Sequence, residues 1–298
     1  MKESIKSASG LAFLYSIRAM ERSLSVENLR RAFYSFNGPR AAINCAFKKL
    51  KPLPPLPEMF LYQKSARLAR QQRASFYLNH LLEFFPDRLT EPKWLGRCKI
   101  EGIEPLRDAV RAKRPVVLLS AHFGPYYLVR FWLRASGVPV LELFGGTKKN
   151  YTRLMQVKNR LSPFPEIPPM LYQDQLRELA SLLAAGNVIG LMIDTPFGKQ
   201  MELPFSDGWN FQMATGGIRL AMRHRADVFP CLIIEDGDWR FRIVFGKPVP
   251  REFLLENADW KLAGKHVLDE MVPHFSAHPE QCVVPDLTRC LKPVGNSR

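Results

Sequence analysis

No apolar run in this chain of 298 residues reaches the ~18–20 residues needed to cross a bilayer. Gly10–Ile17 is mostly apolar but short, and Arg18 ends it. No small-residue cleavage site follows a hydrophobic core, so no signal peptide is expected. Any membrane role would therefore place the protein on the bilayer rather than across it. Cysteine is also scarce. Cys45, Cys98, Cys231, Cys282 and Cys290 are scattered, odd in number, and form no Cys-x-x-Cys pair. A disulfide framework and a structural zinc site are not expected, and a reducing cytosol is the simpler setting. The chain has no Walker A loop and no paired-glycine dinucleotide fingerprint. No cluster shows metal-ligand spacing, so neither a metal nor a cofactor is expected.

Acidic residues are in deficit. There are 28 Asp and Glu against 43 Lys and Arg, a net charge of +15. The excess is uneven: residues 1–90 hold 15 Lys/Arg and 6 Asp/Glu, a net of +9. Such a field attracts phospholipid head groups, nucleic acid or an acidic carrier, although a plain soluble basic surface has the same charge. No nucleic-acid recognition motif accompanies it, so no nucleic-acid partner is expected. With 46% hydrophobic and 24% charged residues, the composition is that of a folded globular protein.

The first 90 residues have helical apolar spacing. One helix is expected to start at Ser25 as N-cap, continue through Leu29, Phe33 and Phe36, and stop at Asn37-Gly38-Pro39. "KPLPPLP" (Lys51–Pro57) forms a stiff connector. Met59–Phe85 is amphipathic and suited either to a membrane surface or to packing on the next domain. From about Trp94 the pattern alternates. Strands are expected at Cys98–Glu101, Pro115–Ser120, Val138–Phe144, Val188–Asp194, Val228–Glu235 and Phe241–Val249. Helices are expected at Glu104–Lys113, Pro125–Ala135, Asn150–Leu161, Gln173–Ala185, Thr215–His224 and Lys261–His278. This alternation predicts an α/β fold with a mostly parallel sheet flanked by helices over residues 91–298, preceded by a basic amphipathic helical region over residues 1–90.

Ligands in such folds bind beyond the carboxyl ends of the strands. Among the six histidines, His122 stands at one of these ends, ahead of Phe123-Gly124-Pro125. Asp194 stands at another, which is a positional reason to pair the two. The helix expected after His122 would turn its N–H groups toward the same space. As a general base, His122 would deprotonate an acceptor hydroxyl or amine. Ser120 precedes His122 by two residues without any nucleophile-elbow geometry, so it is not taken as a nucleophile. Thr215-Gly216-Gly217 opens a helix, which suits Thr215 and Gly216 either to capping and packing or to holding a phosphate. Asp194 by itself also fits a turn residue ahead of Pro196.

The surrounding motifs carry a resemblance. "KIEGIEPLRDAVRAKRPVVLLSAHFG" (Lys99–Gly124) is similar to the segment leading into the catalytic histidine of the lipid A biosynthesis late acyltransferases, the lauroyl/myristoyl transferases related to glycerophosphate acyltransferases. "VENLRRAF" (Val26–Phe33) resembles the family's N-terminal helix. "GNVIGLMIDTPFG" (Gly186–Gly198) resembles its strand ending in aspartate. "LPFSDGWNFQMATGGIRLAMRHRADVFPCLI" (Leu203–Ile233) and "HPEQ" (His278–Gln281) follow in the family's order. The resemblance implies a glycerolphosphate acyltransferase-like fold. It implies an acyl thioester donor on acyl carrier protein or coenzyme A, and no cofactor beyond that co-substrate. His122 would be the base, Asp194 the strand-end aspartate, and Arg160 or Lys158 the basic substrate-binding residue. It also implies a cytoplasmic protein lying peripherally on the anionic inner face of the cytoplasmic membrane.

The chain departs from that family at Tyr127. The family pattern is His-x4-Asp/Glu, with a carboxylate five residues after the histidine. A phenol is neutral near pH 7 and stabilises an imidazolium far less than a carboxylate does. Three readings stay open. Tyr127 orients His122 while another acid, such as Asp194 or Glu142, supplies charge. The acceptor is a more nucleophilic amine that needs a weaker base. Or catalysis is lost and acyl or lipid binding is kept. After "HPEQ" the chain continues "CVVPDLTRCLKPV" (Cys282–Val294) instead of the family's aromatic and paired basic residues, so the substrate is free to differ from lipid A.

Overall fold

The computed structural model describes residues 15–16, 19–36, 57, 91–94, 96–144, 171–172, 175–195, 198–206, 208–282 and 289–295. The expected connector Lys51–Pro57, apart from Pro57, lies outside these residues, as do the helices expected at Met59–Phe85 and Asn150–Leu161.

A seven-stranded sheet forms the centre. In chain order its strands are β1 (Cys98–Glu101), β2 (Val116–Ser120), β3 (Val140–Phe144), β4 (Leu171–Tyr172), β5 (Val188–Met192), β8 (Asp227–Gly237) and β9 (Arg240–Phe245). In space they run β1-β9-β8-β2-β5-β3-β4. Every pairing is parallel except β8 with β9, a hairpin. Helices cover both faces, so the middle strands cannot alternate polar and apolar residues. All five residues of β2 are buried, and so are Val228–Ile234 of β8.

Two side-chain layers follow from the strand pleat. On one face, Val116, Leu118, Val188, Cys231 and Ile233 pack under α1 (Val26–Phe36), α2 (Glu104–Arg111) and α3 (Val129–Ala135). Ser25 caps α1 as expected, its hydroxyl accepting from the Asn28 N–H at 3.2 Å. Phe33 of α1 meets Trp239 at 5.7 Å between ring centroids, and Trp239 stacks on Trp94 at 6.1 Å. This N-terminal helix is therefore part of the core of the α/β unit. On the other face, Val117, Leu119, Ile189 and Ile234 pack under α4 (Leu176–Ala184), α5 (Gly216–His224) and α6 (Trp260–Ala277).

The sequence expectations missed one substructure. Between β5 and α5 the chain forms a hairpin, β6 (Gln200–Ser206) and β7 (Trp209–Ala214), extended by β10 (Leu291–Pro293) into a separate antiparallel sheet. The burial of β6 alternates strictly, with Met201, Leu203 and Phe205 inward. That is the period of a sheet with one face in the core.

Gly186 closes α4. Its φ is +86°, and its N–H donates to the Leu183 carbonyl at 2.9 Å. A Cβ there would sit 2.5 Å from the Lys113 carbonyl oxygen, a backbone atom that cannot step aside. Gly186→Ala should therefore destabilise the fold by about 1–3 kcal/mol, combining left-handed strain with this collision. Denaturant unfolding of the two proteins measures it.

Candidate active site

The site is set by where β2 and β5 end. Ser120 pairs with Met192, and the Ile193 N–H donates to the Ser120 carbonyl at 2.8 Å, carrying the register one step further. The next residues along are His122 and Asp194. The chain folds sharply at His122, with the Phe123 N–H reaching the Ala121 carbonyl at 2.7 Å. Gly124 follows with φ +56°, and a Cβ there would collide with the Ile233 carbonyl oxygen of β8.

Asp194 is 1% exposed, and both of its oxygens engage His122. Oδ2 accepts the His122 backbone N–H at 2.9 Å, and Oδ1 lies 2.8 Å from Nδ1. A carboxylate acceptor at that distance assigns the proton to Nδ1, which leaves the ring's lone pair on Nε2. The ring is partly exposed and borders a cleft of about 1980 Å³. Leu118, Val129, Met192 and Leu220 supply apolar walls, and Tyr126 and Tyr127 line the same cleft. The Tyr126 ring meets the imidazole edge-on, 4.6 Å between centroids, and lies 3.7 Å from the Tyr127 ring at a tilt of 41°.

Several sequence expectations are corrected by this geometry. The chain after His122 does not enter an α-helix at Pro125. It passes through a 3₁₀ turn at Tyr126–Leu128, and α3 starts only at Val129. Gly124 at positive φ and Pro125 at ψ 55° delay the helix, so aromatic rings flank His122 where helix-terminal N–H groups were expected. Thr215 does not cap α5 with its side chain. The residue is 1% exposed, and its hydroxyl donates to the Lys199 carbonyl at 3.0 Å. Gly216, by contrast, borders the cleft. Arg160 and Lys158 lie outside the described residues.

Glu142, weighed as an alternative acid for His122, instead pairs with Arg130 of α3 at 3.2 Å. Neither Arg130 nor Tyr126 was singled out in the sequence. Both lie within eight residues of His122 on the segment that leaves its strand, which is the signal that could have found them. Among the described residues, no group of three or more His, Cys, Asp or Glu is placed to hold a metal ion, and no helix is long and apolar enough to cross a membrane.

An α/β sheet whose strand-end histidine is buttressed by a buried aspartate beside an apolar cleft is an arrangement suited to acyl transfer. Residues 77–253 match the family model for bacterial lipid A biosynthesis acyltransferases, and the chain belongs to that family. No match was found among curated proteins.

Burial holds the Glu142 carboxyl above its ordinary value of 4.5, while Arg130 pulls it the other way. A carboxyl raised by folding stabilises the fold fully below its unfolded value. That contribution is lost as pH rises through the higher folded value. Glu142→Gln should therefore reduce the loss of stability on going from pH 4.5 to neutrality. Urea midpoints across that range, compared with the unsubstituted protein, provide the check.

Proposed function

We propose that this protein moves a fatty acyl or related chain from a carrier-bound thioester, on acyl carrier protein or coenzyme A, to a hydroxyl or amine of a lipid-like acceptor. The observation that carries this reading is the two-point contact between His122 and Asp194 at the edge of a cleft with apolar walls and several arginines in its lining. Nε2 of His122 takes the acceptor proton as the acceptor oxygen or nitrogen attacks the thioester carbonyl. Asp194 holds the tautomer and stabilises the imidazolium that forms. The tetrahedral intermediate collapses, the C–S bond breaks, and the leaving thiolate receives the proton from Nε2. The products are an ester or amide and a free thiol. The protein supplies no cofactor in this scheme.

The apolar walls of the cleft would hold the acyl chain. The basic residues 1–90 would draw the protein to the anionic inner face of the cytoplasmic membrane, where Arg160 or Lys158 would meet acceptor or carrier phosphates. Tyr127 is not needed as the acid in this scheme, because Asp194 already engages Nδ1. Its replacement of the family's carboxylate nonetheless favours a second reading, an acyl- or lipid-binding homologue without catalysis.

The test incubates purified protein with acyl-thioester donors and lipid acceptors, and follows thiol release and acyl transfer together. His122→Ala should reduce transfer to background. Asp194→Asn should lower it by about 10³–10⁴, because the amide would donate to Nδ1 and shift the ring proton to Nε2. Tyr127→Phe should stay within about tenfold of the parent, as expected for a group outside proton transfer. Transfer that survives in His122→Ala sinks the mechanism. Tight acyl binding without transfer establishes the second reading.

A further inference from the structure

The "HPEQ" segment lies beyond the residues matched by the family model, yet it reaches the His122 turn. After α6 the chain turns at His278 and forms a short 3₁₀ turn at Pro279–Gln281. Gln281 then makes three contacts. Its backbone carbonyl accepts the Gly124 N–H at 2.8 Å. Its side-chain Oε1 accepts the Glu235 N–H at 2.8 Å, and Nε2 donates to the Glu235 carbonyl at 2.9 Å. The next residue, Cys282, bridges Phe123, whose ring lies 5.4 Å from Phe275 of α6.

The sheet explains why an amide is wanted there. β2 pairs with β8 only as far as Leu119 and Pro230, while β8 runs on to Gly237. Past Pro230, none of the described strands lies beside the edge of β8 that faced β2. Its backbone groups need partners because most of these residues are buried. The Gln281 carboxamide has one donor and one acceptor in peptide-like geometry, and it serves Glu235 as a neighbouring strand would. The His122 turn is laid against the same edge, since Gly124 abuts the Ile233 carbonyl.

We propose that Gln281 is a positioning residue that sets the place of His122. The turn is held from two sides: Asp194 at the end of β5 grips His122, and Gln281 fixes Gly124 to the open edge of β8. Without the carboxamide, the Glu235 backbone N–H and carbonyl lose these two hydrogen bonds, and the 278–282 segment and Gly124 lose their anchor. His122 then no longer holds its alignment to Asp194. The proposal rests on His122 being the catalytic base.

The test is Gln281→Met, which keeps the length and removes donor and acceptor. Gln281→Glu, which cannot donate to the Glu235 carbonyl when ionised, serves if the Met variant fails to fold. Far-ultraviolet circular dichroism checks folding. Nitrogen-15 NMR of the His122 imidazole reads the result without any substrate. The parent should show a proton fixed on Nδ1 and deshielded by Asp194. The variant should show that signal weakened, with a displaced titration of the ring. In acyl transfer the expected loss is about ten- to a hundredfold in kcat with KM for the thioester unchanged, the scale of a small misplacement of a catalytic group. A folded variant whose His122 signals and titration match the parent overturns the proposal, whatever its activity. Absence of transfer in the parent would count against the proposed reaction, while the imidazole measurement would still decide the role of Gln281.

Discussion

A carboxylate that is 1% exposed must be hydrogen-bonded inside the protein, because leaving it unpaired away from water costs several kcal/mol. Asp194 meets that demand with two groups of a single residue, the backbone N–H and the ring Nδ1 of His122. The pairing ties together the segments that follow β2 and β5, and the rest of the site follows from it. The parallel register of the two strands places the partners level with each other. The tautomer follows from the acceptor, and the direction of Nε2 follows from the ring. A one-residue slip of β5 would turn Asp194 to the opposite face of the sheet and leave His122 without its acid.

This arrangement gives position 127 a different meaning. The family pattern places a carboxylate five residues after the histidine, on the segment that leaves the strand. Here that segment is a 3₁₀ turn carrying two tyrosines in tilted contact, and the carboxylate beside His122 comes from the end of the neighbouring strand. The tyrosines form an aromatic wall beside the imidazole, continuous with the apolar lining of the cleft. On the far side of the turn, β8 outruns β2, and the C-terminal Gln281 closes the exposed edge. The turn that carries the histidine thus meets three separated stretches of chain, at Asp194, Ile233 and Gln281.

Much of the fold was legible because buried parallel strands and amphipathic helices differ in period. The apolar run ending at Ser120 and the one beginning at Val188 were both found within two residues of their ends. The hairpin of β6 and β7 was missed, although Asp207-Gly208 between two alternating runs is a turn signal. Pro204 within the first run speaks against a strand, and β6 tolerates it because a register irregularity follows at that point. The start of α3 was misplaced for a local reason, the positive φ of Gly124, a position where a side chain would collide with the carbonyl of Ile233 more than a hundred residues away. Thr215 has the composition of a cap, but the neighbouring Lys199 carbonyl competes for its hydroxyl.

The order of motifs, the α/β class and the candidacy of His122 and Asp194 were determined by the sequence alone, since they depend on local periodicity and on residue type at strand ends. Which acid serves His122 was decided only by the tertiary structure. Asp194 follows the end of β5 and Glu142 lies within β3, both strands of one sheet, and the sequence does not say which of these strands lies beside β2. Strand order settles it. β5 is inserted between β2 and β3, so Asp194 meets the histidine, while Glu142, one strand further out, pairs with Arg130.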